Sequence, residues 1–201
     1  MMSPRRIRER KAMLKAWGLA QPDIATRMAA KRISRTPVMG KAARLVLAAW
    51  KAANARSIII EHDWAWNGRL GKRNGKAAGI VCHHAAASVA SPEDVHRWHL
   101  ARGFLGIGYH YYVRKDGSIH RGRPEWAMGA HTLGHNDMLG ICAEGNFETE
   151  TMPAAQLEAL IWLVADVADR NGVETKRRYR HSKLNPTACP GRNYPWAQVR
   201  G

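Results

Sequence analysis

The sequence predicts an α/β domain over residues 58–201, with helices packed on a β-sheet, preceded by a small basic all-helical segment over residues 1–57. Two observations lead to this prediction. From Ile58 onward, short apolar runs alternate with amphipathic stretches, which is the pattern of strands and helices packed in layers. The charge is also uneven: of the net +16 carried by 201 residues, +12 falls within residues 1–57. Such asymmetry predicts two parts with different tasks.

Residues 1–57 are predicted to form three short helices. Helix-forming residues run from Arg5 to Trp17, Pro22 occupies a favourable first helical position, and an alanine-rich stretch runs from Val38 to Ala53. Three short basic helices are similar to a helix-turn-helix DNA-binding module. The second connection is longer than in that module, however, and Pro37 stands where the recognition helix would begin. A basic arm for an anionic envelope or for another protein is the alternative.

Charge and composition narrow the possible partners and locations. The high positive charge predicts a polyanionic partner, such as nucleic acid, an anionic cell envelope or a membrane surface. No apolar run reaches the roughly 18–20 residues of a membrane-spanning helix. Met1 to Lys15 is basic but leads into no apolar signal core, so synthesis in the cytoplasm is expected. Three cysteines, Cys82, Cys142 and Cys189, are too few for a disulfide framework.

The first elements of the α/β domain follow from local signals. Residues 80–84 are predicted to form a strand that ends in two adjacent histidines. Ser91 is a helix-capping residue followed by proline and two acids, and the helix it opens continues through Trp98 until Gly103 ends it.

The remaining elements are a hairpin, a strand and a long helix. Residues 108–113 and 118–120 flank the turn sequence Lys-Asp-Gly, which is typical of a β-hairpin. Residues 139–144 predict a further strand, and a helix is predicted from Pro153 to Asn171. The apolar face of that helix is predicted to consist of Leu157, Leu160, Ile161 and Val164.

His181 and Cys189 lie eight residues apart and bracket a turn around Pro186. Imidazole nitrogen and thiolate are ligand types that zinc prefers, and a catalytic zinc needs three protein ligands and one open position. His83, at the end of a strand, could supply the third ligand. From these residues alone, it stays open whether the histidine and the cysteine bind a metal or simply pack against each other.

Five sequence blocks occur in order along residues 80–191 and extend this observation. The blocks are Ile80-Val-Cys-His-His-Ala-Ala, Gly108-Tyr-His-Tyr-Tyr-Val-Arg-Lys-Asp-Gly-Ser-Ile, Gly122-Arg-Pro-Glu-Trp-Ala-Met-Gly-Ala-His-Thr-Leu-Gly-His-Asn, Leu139-Gly-Ile-Cys-Ala-Glu-Gly-Asn-Phe and His181 through Asn-Pro-Thr-Ala-Cys-Pro-Gly191. Together they closely resemble the zinc-dependent N-acetylmuramoyl-L-alanine amidase family, which includes amidase-type phage lysozymes and animal peptidoglycan recognition proteins. The resemblance runs from about Trp64 to Trp196 and implies a central mixed sheet flanked by helices.

The resemblance implies roles for individual residues. One zinc ion per chain would be held by three ligands, Tyr109 would be catalytic, and Thr187 would help to stabilise the oxyanion. His131 matches a histidine of the substrate cleft. The implied zinc ligands are His83, His181 and Cys189.

The neighbours of these residues are interpreted as structural. His84 and His110 are expected to support or pack against the site, and Cys82 and Cys142 are expected to be small core residues. Glu144 lies in a predicted strand near the site and is given no role in the mechanism.

The implied activity is hydrolysis of peptidoglycan at the amide between N-acetylmuramic acid and L-alanine, by a water molecule that zinc activates. With no signal peptide predicted, a phage or prophage endolysin is expected, which is made in the cytoplasm and acts on the cell wall after release. The alternatives are a peptidoglycan-binding module without catalysis and a regulator that binds DNA or RNA polymerase through the basic segment. Retention of all three implied zinc ligands favours catalysis.

Overall fold

The computed structural model describes residues 59–201, so the helices predicted for residues 1–57 lie outside the described part of the chain. The strands are β1 (Ile59–Ile60), β2 (Ile80–His84), β3 (Tyr111–Val113), β4 (Ile119–Arg121), β5 (Leu139–Ala143) and β6 (Arg178–Arg180). The α-helices are α1 (Pro92–Ala101), α2 (Ala154–Asn171) and α3 (Trp196–Arg200), with 3₁₀ turns at Thr175–Arg177 and His181–Lys183.

The six strands form one sheet in the order β1-β4-β3-β5-β2-β6. The hairpin partners β3 and β4 are antiparallel, and every other neighbouring pair is parallel. The sheet is therefore mixed and flanked by helices, which confirms the predicted fold class. Within residues 59–201, no helix combines the length and the apolar character needed to cross a membrane.

The boundaries of the elements follow local chemistry. The Ser91 hydroxyl accepts the backbone N–H of Asp94 and the Asp94 carboxylate accepts the backbone N–H of Ser91, which is a complete capping box at the start of α1. The long helix α2 ends where Gly172 takes a left-handed conformation with φ of 65°. In the hairpin turn, the Asp116 carboxylate accepts the N–H of Ser118.

Alternation along the strands divides the core between the two faces of the sheet. Ile80 and Cys82 of β2 belong to the larger cluster, which packs against α2 and α3. His83 directly follows Cys82 and therefore points to the opposite face. Cys142 of the adjacent strand β5 and Tyr112 of β3, the strand beyond it, belong there to a smaller cluster with Val95 of α1. The two-residue period of β2 thus puts a histidine on the face opposite the main core.

Two strands were not predicted from the sequence: the two-residue β1 and the three-residue β6. β6 has the sequence Arg-Tyr-Arg, and it pairs with β2 in parallel, with Arg180 opposite Cys82. A three-residue edge strand needs only one apolar face, so its sequence carries no strong strand signal. Its position matters because the chain enters the candidate site directly after it.

The apolar face of α2 differs from the prediction at one position. Ile161 is 39% exposed, whereas Leu160 is fully buried. The buried apolar stripe consists of Leu160, Leu163, Val164, Val167 and Ala168. The helix is thus rotated slightly from the predicted face, because packing on the sheet rather than periodicity alone selects the buried positions.

These two adjacent residues provide a matched test of the packing. Leu160→Ala is expected to lower the free energy of unfolding by about 2–5 kcal/mol, because it leaves a cavity in the main core. Ile161→Ala, at the exposed neighbouring position, is expected to cost less than about 1 kcal/mol. Denaturant unfolding followed by circular dichroism measures both values. Equal losses in the two variants would contradict the observed orientation of α2.

Candidate metal centre and active site

Three predicted donor residues converge at the carboxyl ends of two adjacent parallel strands. His83 is the last residue but one of β2, His181 directly follows β6, and Cys189 lies in the loop after it. One donor atom from each residue lies within 4.8 Å of the other two. The Nδ1 atom of His83 and the Sγ atom of Cys189 are 3.6 Å apart. The structure therefore brings together all three residues implied as zinc ligands.

The loop that carries Cys189 is fixed by backbone hydrogen bonds. The N–H of Ser182 donates to the Cys189 carbonyl at 2.8 Å, and the N–H of His84 points to the Cys189 Sγ at 3.4 Å. Gly191 has φ of 101°, and a Cβ there would lie 2.4 Å from the carbonyl carbon of Phe147. Only glycine fits this close approach, so the loop turns back and presents the thiol beside β2.

The donor set fits a zinc ion. With Zn–N near 2.0–2.1 Å and Zn–S near 2.3 Å, two ligands of a tetrahedral site lie about 3.6 Å apart. The observed separation of Nδ1 and Sγ has this value. Two imidazoles and one thiolate also leave a fourth position open, as catalytic zinc sites do.

Burial keeps these donors neutral when no cation is bound. It lowers the pKa of His83 well below its usual value and also lowers the pKa of His181. It raises the pKa of the Cys189 thiol to about 12. A divalent cation is therefore required to hold Cys189 as the thiolate at neutral pH, and its binding releases the thiol proton.

Asn185 orients His181 and was not identified from the sequence. The Nε2 atom of His181 lies 3.2 Å from the Asn185 Oδ1, and the Asn185 Nδ2 donates to the Leu133 carbonyl at 3.2 Å. With the amide orientation fixed in this way, Nε2 of His181 is the donor and its Nδ1 is left unprotonated. Asn185 follows His181 by four residues within the turn that leads to Cys189, and this spacing is the sequence signal that could have indicated the hydrogen bond between them.

Tyr109 lies beside the donor cluster. Its ring centroid is 5.2 Å from that of His83. Two histidines of α1 hold the segment before it: Nδ1 of His96 accepts the N–H of Ile107, and Nδ1 of His99 accepts the N–H of Gly108. Burial, with the nearby Cys142 and Cys189 thiols, raises the pKa of Tyr109 well above its usual value. Tyr109 is consequently a neutral phenol, able to donate its proton.

Thr187 lies in the exposed part of the loop, two residues before Cys189. Its Oγ1 accepts the backbone N–H of Cys189 at 3.2 Å. Since that bond uses an oxygen lone pair, the hydroxyl proton remains available to a second partner.

The structure also brings His131 to the cluster. Its Nδ1 is 3.0 Å from Nε2 of His83, and its Nε2 is 3.1 Å from the Met138 carbonyl oxygen. Both ring nitrogens are therefore engaged within the protein. Its implied contact with substrate stays a prediction.

The neighbouring residues have the structural roles that were predicted for them. Nδ1 of His84 accepts the N–H of Phe147, and His110 connects the Ala127 carbonyl to the N–H of Gly140. Cys82 and Cys142 are fully buried. The Glu144 carboxylate is also buried, where it accepts the backbone N–H groups of Ala90 and Lys115. The Glu144 carboxylate thus connects the loops that contain Ala90 and Lys115 by hydrogen bonds.

Comparison with known proteins identifies the same amidase family that the sequence blocks resemble. The family model described as N-acetylmuramoyl-L-alanine amidase matches residues 73–192. The endolysine N-acetylmuramoyl-L-alanine amidase LysCS from Clostridium intestinale URNW superposes with a TM-score of 0.67 at 37% identity, over 71% of this chain and 92% of that one. The endolysin of Escherichia phage T7 is 31% identical over 48% of this chain and 67% of its own length.

A third relative contains a bound ligand. Peptidoglycan recognition protein-LE in complex with tracheal cytotoxin, a monomeric diaminopimelic acid-type peptidoglycan, has a TM-score of 0.61 at 29% identity, over 68% of this chain and 89% of that one.

The fold and the site thus define a protein of the mixed α/β class in which two histidines and one cysteine, the ligand types of zinc, lie together at the ends of two parallel strands. The chain belongs to the N-acetylmuramoyl-L-alanine amidase family. It is a peptidoglycan hydrolase.

Proposed function

We propose that this amidase holds one zinc ion through His83, His181 and Cys189 and uses it to cleave the amide between N-acetylmuramic acid and L-alanine. The observation that carries the proposal is the convergence of the three donor atoms within 4.8 Å of one another. When bound, zinc would supply a Lewis acid for the amide carbonyl and would make water a competent nucleophile at neutral pH.

Two residues beside the zinc ligands, Tyr109 and Thr187, are proposed to act on the substrate. Tyr109 holds a phenolic proton beside His83, in the position to hydrogen-bond the developing oxyanion. The departing alanine nitrogen must gain a proton, and the proposed source is the attacking water: the Tyr109 phenol passes the proton that this water loses to the nitrogen and ends protonated, as it began. Thr187, with its hydroxyl proton available, is proposed as a second donor to the oxyanion.

The natural substrate is proposed to be intact cell-wall peptidoglycan, with the chain acting as a phage or prophage endolysin. Endolysins are among the relatives in both sequence and structure. We propose that the chain is made in the cytoplasm and reaches the wall after release.

Removal of the metal tests the proposal. Wild-type protein is expected to contain about one zinc per chain, and a strong chelator is expected to abolish wall lysis while sparing most of the fold. The reason is that the site lies at the ends of strands already held by a separate core, unlike a zinc finger. Metal analysis, a turbidity assay on cell-wall suspensions and circular dichroism measure the three quantities. Full activity in chelator would contradict the zinc assignment.

A separate proposal concerns residues 1–57, which carry a net charge of +12. We propose that this segment binds a polyanion and that residues 58–201 form the amidase domain. Deleting residues 1–57 is then expected to leave hydrolysis of soluble muramyl peptides intact, because no zinc or catalytic candidate lies there. It is also expected to weaken binding to DNA or to anionic envelope fragments.

Salt dependence identifies the electrostatic part of that binding. The logarithm of the association constant on B-DNA falls with a slope of about −0.9 per neutralised phosphate, so even a few contacts are measurable by titration at several salt concentrations. Sequence preference would favour a helix-turn-helix module, and binding to any polyanion would favour an envelope-targeting arm. Loss of the amidase fold on deletion would contradict the division into two domains.

A further inference from the structure

A chain of hydrogen bonds starts at the metal-ligand candidate His83 and ends at a backbone carbonyl. Nε2 of His83 lies 3.0 Å from Nδ1 of His131, and Nε2 of His131 lies 3.1 Å from the Met138 oxygen. The two imidazole rings meet nearly at right angles, with an interplanar angle of 80°. The chain thus runs away from the donor cluster into the protein.

The direction of each bond in this chain is determined by its last member. The Met138 carbonyl can only accept, so Nε2 of His131 carries the proton. Nδ1 of the neutral His131 is then an acceptor, and Nε2 of His83 must be the donor. Nδ1 of His83 is left with its lone pair, and this is the atom that lies 3.6 Å from the Cys189 Sγ.

Residues on several sides of His131 fix the position of its ring and of its backbone. A Cβ on Gly129 or on Gly140 would lie 2.4 or 2.5 Å from Cδ2 of His131, so the ring fills a slot that only glycine leaves open. Asn136 fixes the backbone, because its Oδ1 accepts the N–H groups of His131 and Thr132. The Thr132 Oγ1 lies 2.7 Å from Nδ1 of His131, on the same side as His83.

From this arrangement we propose that His131 is a positioning residue for the metal: it accepts the Nε2 proton of His83 and so holds the lone pair of Nδ1 toward His181 and Cys189. A metal-binding histidine gains basicity and a fixed ring orientation when its other nitrogen donates to a partner. Here the partner is a second histidine that is itself anchored to a carbonyl. The inference rests on the proposed zinc centre, and it gives His131 a role other than direct contact with substrate.

The tautomer of His83 tests the inference in the metal-free protein. Long-range ¹H–¹⁵N correlation spectra of protein with ¹⁵N-labelled histidine distinguish protonated from unprotonated ring nitrogens. In the wild type, His83 is expected to carry its proton on Nε2 only. In His131→Leu, which removes the nearer acceptor and leaves only the Thr132 Oγ1 at 3.4 Å, a mixture of the two tautomers is expected. A wild-type His83 protonated on Nδ1 would overturn the inference without requiring any variant to fold.

Zinc affinity, measured by competition with a chromophoric chelator, gives the second readout. His131→Leu is expected to bind zinc about 10–100-fold more weakly than the wild type. His131→Asn should stay close to the wild type, because the amide oxygen can accept in place of Nδ1. Thermal unfolding of the metal-free variants controls for misfolding.

Each outcome has a separate meaning. Wild-type zinc affinity in His131→Leu overturns the positioning role, and a raised KM for a muramyl peptide in that variant would then indicate a contact with substrate. Failure of the wild-type chain to bind zinc overturns the proposed metal centre, while the tautomer measurement still decides whether His131 orients His83.

Discussion

Cys189→Ala is expected to reduce the lysis of cell-wall suspensions to the background of the assay. The substitution removes one of the three proposed zinc ligands and leaves two imidazoles, which hold a divalent ion poorly. The chemistry that a metal supplies is worth several kcal/mol of transition-state stabilisation, and each 1.36 kcal/mol is a tenfold change in rate, so a loss of about 10³-fold or more follows. The turbidity decrease per unit time and the zinc content are measured together.

Cys82→Ala is the matched control for this variant. Cys82 lies on the same strand as His83, fully buried on the opposite face of the sheet within the main core. Its replacement is expected to affect stability modestly while both zinc content and lysis persist. Wall lysis by Cys189→Ala at a rate near that of the wild type would exclude Cys189 from the catalytic machinery.

Tyr109→Phe is expected to lower turnover on cell wall by roughly 10²–10⁴-fold, the usual contribution of a positioned acid–base group. Zinc content should not change, because the phenol is not among the proposed ligands. The ring itself, which packs beside His83 and His99, is retained in phenylalanine. A large loss of rate at constant metal content therefore assigns the effect to the hydroxyl group.

Tyr112→Phe is the corresponding control. Tyr112 is buried in β3 and donates its hydroxyl to the Ala90 carbonyl at 2.9 Å, outside the donor cluster. Loss of that hydrogen bond is expected to cost about 1 kcal/mol of stability and to leave turnover close to the wild-type value. If Tyr109→Phe behaves like Tyr112→Phe, Tyr109 is a packing residue rather than a catalytic one.

Local signals were sufficient for most of the secondary structure. The capping box at Ser91 and the left-handed glycine at Gly172 act through neighbours in the chain, so the limits of α1 and α2 could be predicted. The short apolar run from Ile80 to Cys82 likewise placed His83 at the end of a strand. Strand β6 could not be predicted, because a short edge strand with arginines depends on its partner β2 for its conformation.

For the donor set, the ordered blocks and their resemblance to a family were the decisive signal. His181 and Cys189 are close in the sequence, but His83 lies almost one hundred residues earlier. Chain spacing by itself could not bring His83 to them. The parallel pairing of β2 and β6 does so, because the carboxyl ends of adjacent parallel strands lie at one edge of a sheet.

The sequence by itself thus determined the α/β class, the limits of most elements and the three candidate ligands. Only the tertiary structure decided which nitrogen of each histidine faces the cluster, since that depends on Asn185 beside His181 and on His131 beside His83. It also decided that Ile161 is exposed and that Glu144 joins loops. The physical reason is that periodicity and capping act between neighbours in the chain. A hydrogen bond across the fold, in contrast, depends on where distant segments meet.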